Sequence, residues 1–172
     1  MIVTVVDHDV EFGEMALEIE RKFLVAGQTW KTAPGCLVRQ GYLNRDPHCT
    51  VRIRVSGGLA WITIKGVNVG AARPEFEYSI PLSDGDALLD LCERPLLEKT
   101  RYRIQHDKHC WEVDEFHGDN AGLIVAEAEL RSASEPLDLP EWIGAEVTGD
   151  PRYYCSNLVE HPYRQWSSKP SQ

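Results

Sequence analysis

Polar and apolar residues alternate along most of this chain, with a period of two that recurs in segment after segment. In "EIERKFLV", residues 18–25, Glu18, Glu20 and Lys22 take every second position and Ile19 and Phe23 lie between. Successive side chains of a strand project to opposite faces, so this spacing puts both carboxylates and the ammonium on one side. Similar segments bounded by Gly, Pro, Asn and Asp predict eight strands, at about 17–25, 36–44, 49–56, 59–67, 74–81, 98–106, 109–117 and 122–131. "SGG" at 56–58 and "HDK" at 106–108 read as tight hairpin turns, which makes the sheet mostly antiparallel. Between Pro81 and Pro95, Ser83 and Asp86 stand in capping-box spacing before Leu88, Leu89, Leu91 and Cys92, predicting a helix over 84–93. Asp150 as N-cap, Pro151 at the first helical position and a stop before Pro162 predict a second helix over 151–160.

Sorted by parity, one face collects Glu18, Glu20, Lys22, Arg39, Arg52, Arg54, Lys65, Arg73, Glu75, Glu77, Lys99, Arg101, Arg103, Glu112, Asp114, Glu127, Glu129 and Arg131. The other collects Ile19, Phe23, Val51, Ile53, Val55, Ile62, Ile64, Phe76, Tyr78, Ile80, Tyr102, Ile104, Trp111, Val113, Ile124, Ala126 and Ala128. Two arrangements fit. An ordinary sheet would pack the apolar face on a core and leave the charges in water. The signs are segregated, however, with acids in blocks at 18/20, 75/77, 112/114 and 127/129 and bases at 52/54 and 99/101/103. Acid blocks suit a divalent cation, and Arg and Lys blocks suit a multiply charged anion. Parity alone leaves both arrangements open.

At 172 residues and 42% hydrophobic, the chain supports one domain with a real core. Its net charge of −9 argues against a nucleic-acid or anionic-membrane surface. Cys36, Cys49, Cys92, Cys110 and Cys155 are odd in number and widely spaced, suggesting neither a disulfide framework nor a zinc knuckle, and a cytoplasmic setting is expected. His106, His109, Cys110 and His117 gather near one hairpin but match no zinc spacing. No apolar run reaches the ~18 residues of a membrane span. Residues 1–14, acidic and outside the alternating pattern, read as a leader or extension before Met15, and 166–172 as a flexible tail, leaving 15–165 as the domain. No G-x-x-x-x-G-K-[ST], G-x-S-x-G or G-x-G-x-x-G motif occurs.

Taken in order, "EIERKFLV", "RQGYL", "VRIRV", "ITIKG", "RPEFEYSIP", "EKTRYRI", "WEVDEF", "AEAEL" and "EVTGDPRYY" resemble the CYTH superfamily, the triphosphate tunnel metalloenzymes, over residues 17 to about 160. A lone Glu-x-Glu-x-Lys is weak, whereas nine segments in the right order are specific.

The resemblance implies a mainly β fold: an eight-stranded antiparallel closed barrel with a hydrophilic tunnel and a few flanking helices. It turns the charges inward and leaves the apolar faces to be covered by the helices at 84–93 and 151–160 or by partner contacts, a homodimer among them. By its motif, Glu18, Glu20, Asp114, Glu127 and Glu129 are expected to hold Mg²⁺ or Mn²⁺, and Lys22, Arg52, Arg54, Lys65, Arg101 and Arg152 to grip a triphosphate. Arg39 and Arg103 share that face and serve either substrate or a supporting ion pair. Glu127, Glu129 or Lys99 is expected to act on the attacking water, with a phosphate contact the alternative for Lys99. The expected activity is hydrolysis of a small triphosphate, inorganic tripolyphosphate foremost. The alternatives are a class IV-like adenylyl cyclase, a thiamine triphosphatase and a non-catalytic polyphosphate-binding module.

Overall fold

Alternation with a two-residue period becomes a wall with two different sides. The computed structural model describes residues 17–67 and 72–167. It contains strands β1 (Leu17–Val25), β2 (Cys36–Asn44), β3 (Thr50–Ser56), β4 (Leu59–Lys65), β5 (Ala72–Ile80), β6 (Leu97–His106), β7 (His109–Phe116), β8 (Ile124–Glu129) and β9 (Ile143–Glu146). Helix α1 (Leu82–Leu91) follows β5, and a short helix α2 (Cys155–Glu160) follows β9. Neighbours pair antiparallel in the order β5-β4-β3-β2-β6-β7-β8-β1, and β1 returns to β5 through Leu17↔Pro74, Glu18↔Arg73 and Ile19↔Ala72. The circuit is an eight-stranded closed barrel, the expected architecture. Gly57 and Gly58 make the two-residue β3–β4 turn at φ 57° and 79°, the left-handed backbone that such hairpins require.

The apolar parity faces outward and is covered there over most of the barrel, though Phe76 and Tyr78 of β5 stay exposed. Under α1 lie Ile53, Val55 and Ala60, met by Leu89 of the helix, with Ile62 and Ile80 at the margin. Around β1, β7 and β8, Phe23, Trp111, Val113, Ala126 and Ala128 are capped by Trp30 and Trp142 from two loops. A third cluster lies inside the barrel at one end. Leu24, Leu97, Phe116 and Val125 continue the inward parity of the charged positions, and Tyr153, Leu158, Val159 and Tyr163 pack against them from the C-terminal segment. The region 151–160 therefore stoppers one end of the barrel and does not shield its outer wall as expected.

Four local features differ from the sequence pattern. Helix α1 begins at Leu82 behind Pro81 with no side-chain cap, because Ser83 bonds Asp84 and Asp86 reaches Arg39 at 2.8 Å. The 151–160 helix is broken at Tyr154 into a 3₁₀ turn, Pro151–Tyr153, and α2. Asp150 does cap the turn, accepting from the Arg152 N–H, while the Asn157 amide donates to the Pro151 carbonyl at 2.8 Å. Strand β9 was absent from the sequence pattern; it pairs with β1 outside the closed circuit, at Phe23↔Glu146 and Val25↔Ile143. Trp166, placed in the tail by sequence, packs edge-on against Tyr153 and Tyr163. The leader at 1–14 and tail residues 168–172 lie outside the described residues.

Candidate active site

The inward charges of seven strands line a cavity of ≈ 870 Å³. From β1 come Glu18, Glu20 and Lys22; from β3 and β4, Arg52, Arg54 and Lys65; from β5, Arg73, Glu75 and Glu77; from β6, Lys99, Arg101 and Arg103; from β7 and β8, Glu112, Glu127 and Glu129. Thr148, Tyr154, Cys155 and Ser156 of the C-terminal segment close its lower side.

Strand register explains how like charges meet. Glu20 stands opposite Glu129 and Lys22 opposite Glu127 on the β1–β8 ladder, while Glu112 stands opposite Glu127 on β7–β8. Like charges directly across a ladder are unfavourable without a counter-ion. Lys22 supplies part of it, at 2.7 Å from Glu127 and 3.4 Å from Glu20. Burial pushes the Glu20 carboxyl above its ordinary range; Lys22 opposes this, and Glu127 and Glu18 add to it. Glu129 lies at the exposed rim of the cavity with no ion-pair partner among the described residues. An unpaired carboxylate beside a crowded one offers the oxygen donors that a hard divalent cation takes. Among the described residues no three or more His, Cys, Asp or Glu side chains are gathered as a finished cage. The fit therefore rests on the donor type and on the uncompensated charge along β1 and β8.

The other acids are already engaged. Glu18 accepts from Lys65 at 2.7 Å and Arg73 at 3.0 Å; although burial acts upward, these cations and the Glu75 hydrogen bond bring its carboxyl down to about 2. Glu75 moves the other way, pushed up to about 7 by burial and by its hydrogen bond to Glu18. Arg54 pairs with Glu77 at 2.8 Å, and Arg52 donates to Thr63, whose hydroxyl donates to Glu77 at 2.8 Å. Arg101 bonds both oxygens of Asp114, at 2.7 and 2.6 Å, and also Glu112, while Lys99 donates to Asp114 at 2.6 Å.

The residues expected at the site divide accordingly. Glu18, Glu20, Glu127, Glu129, Lys22, Arg52, Arg54, Lys65, Lys99, Arg101 and Arg103 all line the cavity. Asp114 lies one layer behind it, 1% exposed and committed to Lys99 and Arg101, where it anchors cations and does not face an incoming metal. Arg39 points to the outer wall, because β2 turns Val38, Gln40 and Tyr42 inward and leaves Arg39 to pair with Asp86 of α1. Arg152 is exposed, held by Asp150 at 2.6 Å and stacked on Tyr153 and Trp166 away from the cavity. Sequence reasoning missed Tyr42 and Cys155 as lining groups; both lie in segments without clean alternation. The histidines have separate partners: His106 with Asp138, His109 with Glu135, His117 with Thr100. Of the five tryptophans, Trp61 alone shares the inward parity of its strand, its ring under the Arg54 guanidinium at 5.0 Å.

Closed barrel, charged bore and metal-suited wall define a polyanion-handling class, and comparison with known proteins gives the family. Residues 16–154 match the CYTH domain, and the chain belongs to that family. It is 47% identical over 154 residues to an inorganic triphosphatase of Acetivibrio thermocellus, covering 88% of this chain and 99% of that protein. It is 36% identical over 140 residues to an inorganic triphosphatase of Nitrosomonas europaea, covering 79% and 92%. The crystal structure of the inorganic triphosphatase NE1496 superposes with a TM-score of 0.60 at 32% identity, over 83% of this chain and 97% of that one.

Proposed function

We propose that this chain hydrolyses a short inorganic polyphosphate, tripolyphosphate foremost, to diphosphate and phosphate with the help of a divalent cation. The observation that carries the reading is the division of the bore: an acidic β1–β8 wall with Glu20 opposite Glu129, facing guanidinium and ammonium groups on β3, β4 and β6. The names of the relatives agree with it. A cavity of ≈ 870 Å³ suits a small molecule.

Lys22, Arg52, Arg54, Lys65 and Arg101 would hold the phosphate chain, the arginines through two oxygens at once. Arg103, at the rim beside Glu112, would meet it first. Glu18, Glu20, Glu127 and Glu129 would hold Mg²⁺ or Mn²⁺, which would supply charge neutralisation for the phosphates and make a water more acidic. Glu127 and Glu129 would orient that water along the line of the breaking bond, since phosphoryl transfer depends on positioning and charge stabilisation. Lys99, pinned to Asp114, supports the role of a fixed cation at the phosphate better than that of a base.

Five free cysteines support a cytoplasmic setting, and no helix among the described residues is long and apolar enough to cross a membrane. Phe76 and Tyr78, exposed on the outer face of β5, would give a homodimer an apolar contact.

The test is phosphate release from a panel of tripolyphosphate, ATP and thiamine triphosphate, with Mg²⁺, Mn²⁺ or chelator. Tripolyphosphate turnover lost with chelator and in Glu20→Gln is the expected result. Cyclic AMP from ATP, or full turnover in Glu20→Gln, rejects it.

A further inference from the structure

Two arginines of the cavity are anchored in different ways. Arg101 commits all three guanidinium nitrogens to carboxylates, Nε and Nη2 to Asp114 and Nη1 to Glu112. Arg54 lines the same cavity, yet among the described residues its hydrogen bonds run from one nitrogen, Nη2, to the two oxygens of Glu77 at 2.8 and 3.0 Å. Its Nε is buried with no partner. Glu77 is itself a firm post, because the wholly buried Thr63 hydroxyl donates to it at 2.8 Å. A flat group tied at a single corner can still swing about that corner. Like charge presses on it as well: burial and the neighbouring Arg52 lower the Arg54 pKa from its ordinary value, with Glu77 opposing them. Hydrogen bonds alone therefore leave the plane of this guanidinium unfixed.

Trp61 supplies the second constraint. It stands directly opposite Arg54 on the β3–β4 ladder, and the Arg54 Cζ lies 5.0 Å from the centre of its ring. Among the described residues that line the cavity Arg54 is present and Trp61 is not, so the indole backs the guanidinium and does not meet what fills the bore. The other tryptophans lie elsewhere, Trp30, Trp111 and Trp142 in the outer cluster and Trp166 on the C-terminal segment. An aromatic face attracts a guanidinium electrostatically and stacks with its plane. We infer that Trp61 is a positioning residue: its indole fixes the plane of Arg54, so that the edge left free by Glu77 stays turned toward the phosphate oxygens of the bound substrate. The gain is preorganisation, since an arginine free to swing would lose that freedom on capturing an anion. This role rests on the triphosphate reading above and acts on binding, before any bond breaks.

The test is calorimetric titration of the full chain with tripolyphosphate in the presence of chelator, which reads binding without turnover, with thermal midpoints recorded in parallel. Trp61→Leu should weaken binding about tenfold, while Trp61→Phe, which keeps an aromatic face, should stay within about threefold of the parent. In an Arg54→Ala background Trp61→Leu should add less than about twofold, because the indole acts only through the guanidinium. A fluorinated tryptophan placed at position 61 keeps the shape and packing and drains negative charge from the ring face, so it too should weaken binding, by at least about twofold. Parent-like affinity in Trp61→Leu or with the fluorinated ring, a loss in Trp61→Phe as large as in Trp61→Leu, or an undiminished loss in the Arg54→Ala background would each overturn the role. A parent that failed to bind tripolyphosphate would overturn the reading on which it rests, and this role with it.

Discussion

Asp114 binds two cations from behind the cavity wall, Lys99 through one oxygen and Arg101 through both. Its removal would be felt as charge before volume. Asp114→Asn keeps the shape but strips the counter-ion from two nearly buried cations, and breaking a buried pair in this way costs about 3–5 kcal/mol. Urea unfolding should show a loss of that order, and turnover should fall with it as Arg101 loses its fixed orientation. Glu18 gives a second prediction. Held at about 2 against an ordinary 4.5, its carboxylate stabilises the fold at pH values above 4.5, and that contribution drains away as pH falls toward 2. Glu75, pushed up to about 7, has the opposite sign: it adds stability as pH falls from about 7 through the ordinary 4.5, and that gain is complete once its unfolded form is protonated too. Stability measured with chelator should therefore decline from pH 4.5 downward, and Glu18→Gln should flatten that decline.

At the scale of elements, α1 lies so close to the barrel that its fourth residue admits no side chain. A Cβ on Gly85 would lie 2.4 Å from the Ala60 Cβ and 3.2 Å from a Val55 methyl. Alanine normally favours a helix by about 1 kcal/mol over glycine, but overpacking costs about 1–3 kcal/mol. Gly85→Ala should therefore lower the melting temperature while leaving kcat unchanged. At the opposite end, Asn120 ties the C-terminal segment down, donating to the Leu158 carbonyl and accepting from the Tyr163 N–H at 2.8 Å. Asn120→Ala should raise hydrogen exchange over residues 155–166 and leave the barrel strands protected. Elements were legible in the sequence where pattern and environment agreed: seven of the eight barrel strands alternate because one side of each meets charge and the other is apolar, lying under α1 or a loop except where Phe76 and Tyr78 of β5 stay exposed. Strand β2 was misread at Arg39 because "CLVRQGYLN" alternates weakly and its inward side carries Gln40 and Tyr42 in place of ions. Strand β9, four residues long, is fixed by its pairing with β1 and carries no period of its own. The break at Tyr154 arises from the Asn157–Pro151 bond, a contact within a segment whose sequence otherwise reads as one helix.

Over the whole molecule the net charge is −9, yet the bore concentrates Lys and Arg, so the field that matters to substrate is local. With chelator present, tripolyphosphate should still bind that cationic lining and raise the thermal midpoint, since a ligand at a hundredfold its Kd adds about 2.7 kcal/mol. High salt should weaken the effect by screening. The greasy stopper formed by Leu24, Leu97, Phe116 and Val125 with the C-terminal segment has a further consequence for traffic. A vessel sealed at its base has a single doorway, so spent diphosphate must back out along the route by which fresh substrate arrives. Diphosphate should then inhibit competitively against tripolyphosphate in initial-rate assays, and a long polymer should be nibbled only at an end that fits inside, never drawn through.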